Sequence, residues 1–123
     1  MKDNRQKGLE GEKAAAEYLR ARGYVILEHG YRFGHKEIDL IAARDDVVVF
    51  VEVKSRRSES FGPANLSITP GKQRNLVAAA QGYLLEKDLI KDGRQYRFDV
   101  ILLHPAGGDG TVRLEHITDA FRA

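Results

Sequence analysis

Glu37-Ile38-Asp39-Leu40-Ile41-Ala42-Ala43-Arg44-Asp45-Asp46-Val47-Val48-Val49-Phe50-Val51-Glu52-Val53-Lys54 is the stretch on which the fold turns. Two runs rich in β-branched residues, Ile38 to Ala43 and Val47 to Val53, flank the polar Arg44-Asp45-Asp46, which spells strand, turn, strand. A two-residue turn at Asp45-Asp46 fixes the register. Arg44 then faces Val47, Ala42 faces Val49, Leu40 faces Val51, and Asp39 faces Glu52.

Strand side chains alternate, so Glu37, Asp39, Glu52 and Lys54 are expected on one face, with Ile41, Val48 and Phe50 nearer the turn. Ile38, Leu40, Val49, Val51 and Val53 are expected on the other. The sheet is therefore apolar on both faces and ends in an acidic cluster. Like charges opposite each other on a sheet are destabilising, the more so as the local dielectric falls. Lys54 offsets one of three negative charges, and the excess suits a divalent cation held by carboxylate oxygen, magnesium or manganese. The same residues also fit ordinary solvated positions on an exposed hairpin face, paired in surface salt bridges.

Working towards the N-terminus, Tyr24 to Leu27 reads as a strand. Gly8 to Arg22 reads as a helix stopped by Gly23. Its apolar stripe is Leu9, Ala15, Ala16 and Leu19, and helical spacing sets Glu12 on that inward face. Towards the C-terminus, Lys54 to Gly71 loses periodicity and gathers Ser, Gly and Pro, as a long connection does. Thr69 as N-cap and Pro70 at the first helical position open a second helix running to about Glu86, with the stripe Leu76, Ala79, Ala80, Tyr83 and Leu84. Lys72 extends that stripe beside the loop. A polar connection from Lys87 to Gly93, a strand from Tyr96 to Leu103, a Gly-rich turn and a strand from Val112 to Ile117 complete the chain. The order predicts an α/β fold, a mixed sheet with helices on its faces.

Within the strand Tyr96 to Leu103, Asp99 shares a side with Ile101 and Leu103, an inward carboxylate that fits a structural hydrogen-bonding role. His29, His35, His104 and His116 lack metal-ligand spacing and read as loop or strand-edge residues. No glycine-rich loop ends in Lys-Ser or Lys-Thr, so nucleotide hydrolysis of that type is not supported.

Composition sets the outer limits. With 123 residues the chain is expected to form one domain, residues 1–123, large enough to bury one core without staples. Zero Cys excludes a disulfide framework, a thiol nucleophile and Cys-containing zinc sites, leaving oxygen or imidazole to hold any metal. No apolar run approaches a membrane span and the polar N-terminus lacks a signal peptide's apolar stretch, so a cytoplasmic location is expected. The 20 Lys plus Arg nearly balance 18 Asp plus Glu, and such a total does not announce a nucleic-acid binder.

These residues do resemble a family. Asp39, a turn, and Glu52-Val53-Lys54 look like the PD-(D/E)XK nuclease core, in which an acid on one strand and acid-x-lysine on the next build a metal site. The nearer likeness, over most of the chain, is to the bacterial YraN-like family, related to archaeal Holliday junction resolvases. It rests on Gly11-Glu12 with Ala14 to Leu19, Glu37 to Ala42, Phe50 to Arg56, Phe61-Gly62, Lys72, and Arg97 to Val100. Ile38 departs from the wider group, which usually has Pro before the first acid.

The resemblance implies a restriction-endonuclease-like αβββαβ core with a mixed central sheet flanked by helices. It implies a phosphodiesterase site in which Asp39 and Glu52, with the Val53 carbonyl, bind Mg2+ or Mn2+. Glu12 completes or orients the cluster, and Lys54 positions or activates the attacking water. Glu37 is expected to support the cluster from beside it. Lys72 holds the place of a polar residue, often Gln, of similar nucleases, and fits a snorkelling surface lysine equally well. Lys54, Arg56, Arg57, Lys72 and Arg74 bracket the long loop and offer a surface for a nucleic-acid backbone. The loop from Ser58 to Thr69, with Phe61, Gly62 and Pro63, suits a lid or wedge. The expected activity is a metal-dependent endonuclease acting on branched or single-stranded DNA, and the likeness to resolvases suggests a homodimer. The rivals are a non-catalytic nucleic-acid-binding module with the same fold, and a protein-interaction domain whose acidic face meets a basic partner.

Overall fold

A computed structural model describes residues 4–55, 68–89, 95–105 and 111–122. Its elements are α1 (Asn4–Ala21), β1 (Val25–Phe33), β2 (Lys36–Arg44), β3 (Val47–Ser55), α2 (Pro70–Glu86), β4 (Gln95–Pro105) and β5 (Val112–Phe121). The expected αβββαβ order is present, with β5 added after it. The five strands form one sheet in the order β1-β2-β3-β4-β5. Only the β3–β4 pair is parallel, because the long crossover through α2 returns the chain to the same end of the sheet.

The hairpin has the register expected of it. Arg44 pairs with Val47, Ala42 with Val49 and Leu40 with Val51, and Asp45 accommodates the turn at φ 55. Pairing stops there. Asp39 and Glu52, expected to face each other, lie one step past the last paired residues.

Each face of the sheet carries a helix. On one, Ala15, Ala16 and Leu19 of α1 pack with Tyr24, Leu40, Ala42, Val49, Val51, Ile101 and Leu103. On the other, the α2 stripe Leu76, Ala79, Ala80, Tyr83 and Leu84 is buried as expected, against Ile41, Val48, Phe50, Phe98, Val100 and Leu102. Thr69 Oγ1 accepts from the Lys72 amide at 3.1 Å, with Pro70 next, the N-cap read from the sequence. Gly23, at φ 89, ends the turn after α1.

Ile38 corrects the expected faces. It packs in the cluster beneath α2, not with Leu40 under α1. The alternation breaks where β2 leaves β3 at Leu40; β1 keeps its register from His29–Leu40 to Tyr31–Ile38, with Gly30 at φ 62 between His29 and Tyr31. β1 is also longer than its apolar run, reaching Phe33 through a bulge between Ile26 and Glu28.

Candidate metal and nucleic-acid site

The end of the β2–β3 ladder builds the site. In a two-residue hairpin Arg44 and Val47 exchange hydrogen bonds, so Val49, Val51 and Val53 aim their N–H and C=O groups at β2. Past Leu40 the strands no longer pair, and the Val53 amide donates to Asp39 Oδ2 at 2.8 Å. Asp39 thus lies across the gap between the strands, and the Val53 carbonyl opens towards the same gap. Glu52, beside it in sequence, points to the α2 side and is 7% exposed. Its Oε1 lies 3.6 Å from Lys72 Nζ in the first turn of α2, while its Oε2 is buried without a hydrogen-bond partner among the described residues.

Glu12 reaches this region because Gly11 lets α1 approach the sheet. A Cβ at Gly11 would come within 2.9 Å of Leu103 Cδ1 and 4.0 Å of Val53 Cγ1. Burial, then the charges of Asp39 and Glu37, push the Glu12 carboxyl up to about 7. Glu37 is half-buried, with Arg32 Nη2 3.5 Å from its Oε2.

Electrostatics mark the pair as short of positive charge. Burial raises the Asp39 carboxyl, against the Val53 amide and the Lys72 charge. Burial and then Asp39 push Glu52 up to about 7, against Lys72 and Lys54. For both acids Lys72 opposes the rise more strongly than Lys54 does, so the lysine that the sequence left between two readings sits closer to the carboxylates. Taking two like charges out of water without sufficient counter-charge disfavours ionisation.

Two carboxylates, one of them with an oxygen orphaned among the described residues, and a backbone carbonyl fit a hard divalent ion that keeps several waters. The fit stops short of the expected ligand set in one respect. Among the described residues no three His, Cys, Asp or Glu side chains converge as a metal cluster, so Glu12 stands as an electrostatic neighbour of Asp39 and Glu37 and not as a third converging ligand. Lys54 is half-buried, Lys72 partly exposed and Arg74 exposed. Arg56, Arg57 and the proposed lid, apart from Ile68 and Thr69, lie outside the described residues.

A second polar centre was legible only in part. Asp99 is 1% exposed and fully engaged: Arg97 donates from Nε at 2.7 Å and Nη2 at 2.8 Å, His116 Nε2 lies at 2.7 Å, and the Asp119 amide donates at 3.0 Å. Arg97 Nη2 also donates to Tyr24 Oη, and Tyr18 Oη meets His116 Nδ1 at 3.2 Å. This meets the expectation of a structural hydrogen-bonding role for Asp99. His116 lies on the edge strand β5, within the reading as a loop or strand-edge residue, but its side chain faces inward; His104 is corrected, being buried in β4 with Glu115 Oε1 at 2.9 Å. An inward face for His116 could have been read from its alternation with Leu114; its partners could not. A cavity of about 430 Å³ lined by Val47, Arg97, Phe98, Asp119 and Arg122 lies at the other end of β3 from Glu52 and takes no part in the carboxylate site.

Comparison with known proteins places this arrangement in a family. The family model described as "Uncharacterised protein family UPF0102" matches residues 11–103, which include Glu12, Asp39, Glu52, Lys54, Lys72 and Asp99. A UPF0102 protein of Syntrophomonas wolfei is 43% identical over 96% of this chain and 99% of its own. One from Syntrophus aciditrophicus is 45% identical over 98% of this chain and 92% of its own, and one from Desulfosudis oleivorans is 43% identical over 100% and 95%. The matched span holds both helix faces and the strands that frame the carboxylate pair, as the YraN-like motifs implied, and the chain belongs to the UPF0102 family.

Proposed function

We propose that the chain is a divalent-metal-dependent endonuclease that hydrolyses phosphodiester bonds in DNA, selecting branched or single-stranded structure. One observation carries this reading: Glu52 keeps a buried carboxylate oxygen without a partner among the described residues, beside Asp39 at the broken end of a strand ladder, with two lysines at hand. A structural acid would have its oxygens satisfied.

In this reading Asp39, Glu52 and the Val53 carbonyl hold Mg2+ or Mn2+. The ion, when bound, supplies Lewis-acid polarisation of a phosphoryl oxygen and makes water more acidic. The Val53 amide fixes the Asp39 carboxylate, and Lys54 orients the attacking water and offsets charge developing on phosphorus. Water oxygen bonds to phosphorus and gives up a proton to solvent, the bond to one flanking sugar oxygen breaks, and that oxygen takes up a proton from solvent. Lys72 and Arg74 meet the backbone, a contact that reads shape and charge more than bases.

Two observations favour a second reading, a nucleic-acid-binding module without cleavage. Lys72 lies on Glu52, and no third acid converges on the pair among the described residues. Incubating labelled four-way junction, flap, single-stranded and duplex DNA with magnesium or manganese separates the two. The nuclease reading expects cuts in branched or single-stranded substrates that disappear in Asp39→Ala and Lys54→Ala. Cuts undiminished by either substitution would belong to a contaminant. Binding of these DNAs with none of them cut would establish the module.

A further inference from the structure

Lys72 stands where the helix itself disfavours it. The N-terminus of a helix carries partial positive charge, so a cation in the first turn is poorly placed and an acid well placed. The first turn of α2 has no acidic residue, and Lys72 occupies its third helical position, after Pro70 and Gly71. The contact that accounts for it is Glu52, whose Oε1 lies 3.6 Å from Nζ. That separation is a charge contact, longer than a good hydrogen bond. The lysine side chain is 43% exposed, so its ammonium can leave for solvent at little cost.

We propose that Lys72 is a built-in counter-cation: it neutralises the Asp39–Glu52 pair in the metal-free protein and competes directly with the divalent ion for Glu52. This rests on the metal-binding reading above. A divalent ion bonded to Glu52 would sit about 2 Å from its oxygen. An ammonium held 3.6 Å from that oxygen would then lie within a few ångströms of a double positive charge. Like charges so close in a poorly solvated pocket repel strongly. The two cations therefore exclude each other, and binding the ion releases Lys72 outward, to the side where a phosphate backbone would lie.

Manganese alone is the probe, on the full chain, read by calorimetry and by the thermal unfolding midpoint. Lys72→Met is expected to bind manganese about tenfold more tightly than the wild type, a modest change for removing one nearby charge. Lys72→Arg, which keeps the charge, is expected to stay within about threefold. Lys72→Gln serves as a second neutral variant, with circular dichroism confirming the fold of each. On the unmodified chain, acylation of Lys72 followed by mass spectrometry is expected to quicken when manganese is added.

Equal affinity in the wild type and both neutral variants, or weaker binding in the neutral pair, overturns the competition while leaving the metal site standing. Unchanged acylation of Lys72 on saturation with manganese does the same. Binding by the neutral variants with none by the wild type supports it in its strongest form. No heat and no midpoint shift in any variant removes the metal reading itself, and the competition with it.

Discussion

Asp99 and Glu52 are two carboxylates buried to similar depth in the same sheet, and they behave oppositely. Asp99 accepts from Arg97, His116 and the Asp119 amide, and these bonds hold its carboxyl below the usual range against the cost of burial. Among the described residues Glu52 has one distant ammonium and one oxygen without a partner, and burial lifts its carboxyl to about 7. Burial alone therefore does not separate a structural acid from a candidate ligand. The number of donors that the fold supplies does.

The largest expected effect comes from breaking the satisfied centre. Asp99→Asn keeps the shape but sets an amide N–H2 against the Arg97 guanidinium and removes the charge that Arg97 and His116 share. Breaking one partner of a buried ion pair typically costs about 3–5 kcal/mol. Urea unfolding of the variant should show a loss in that range, and a loss below about 1 kcal/mol would refute the contrast between the two acids.

The under-satisfied centre should respond in the other direction. In the fold Glu12 and Glu52 release their protons near pH 7, against 4.5 ordinarily. Between those values the folded chain binds protons that the unfolded chain has lost, so stability falls as pH rises through this window and levels off above it. Asp99, with its lowered value, contributes stability that is lost only as pH falls well into the acid range. With EDTA present, the protein should therefore be more stable near about pH 5 than near about pH 7.5. Glu52→Gln should flatten that slope and stabilise the protein at the higher pH by on the order of 1–2 kcal/mol. A variant that is less stable than the wild type at both pH values would show Glu52 to be a satisfied structural acid after all.

What the sequence disclosed about these two centres follows from how local each signal is. The Asp45-Asp46 turn fixed the pairing of Arg44, Ala42 and Leu40 by counting, and helical spacing was enough to turn Glu12 and the α2 stripe inward. Counting failed at Asp39 and Ile38, because alternation holds only while strands stay paired and here they part. β1 was cut short at Leu27 because an edge strand exposes residues such as His29 and Arg32 and shows no apolar run. Asp99 could be seen to face inward on the same side as Arg97, but its other partners arrive from β5, and Tyr24, which supports Arg97, from the connection between α1 and β1. No periodicity relates such distant positions. Lys72 is intermediate: its place on the helix was legible, while its contact with Glu52 depends on the crossing of α2 over the sheet.

The smallest expected effect tests how α1 joins the under-satisfied side. Gly11→Ala gains helix propensity of about 1 kcal/mol, yet its Cβ would meet Leu103 Cδ1 at 2.9 Å. That atom is the far end of a flexible side chain, so Leu103 can yield at a cost of similar size. The two terms should leave stability at the higher pH within about 1 kcal/mol of the wild type. What changes is position. An α1 held slightly off the sheet carries Glu12 away from Asp39 and into water, which relieves the two largest causes of its raised carboxyl, burial and the Asp39 charge. The fall in stability between about pH 5 and about pH 7 should therefore become shallower in Gly11→Ala, while the bonds that Asp99 accepts from Arg97 and the Asp119 amide, which α1 does not supply, are unaffected. An unchanged slope in a variant of unchanged stability would mean that Leu103 absorbs the methyl entirely and that Gly11 does not set the distance between Glu12 and the carboxylate pair.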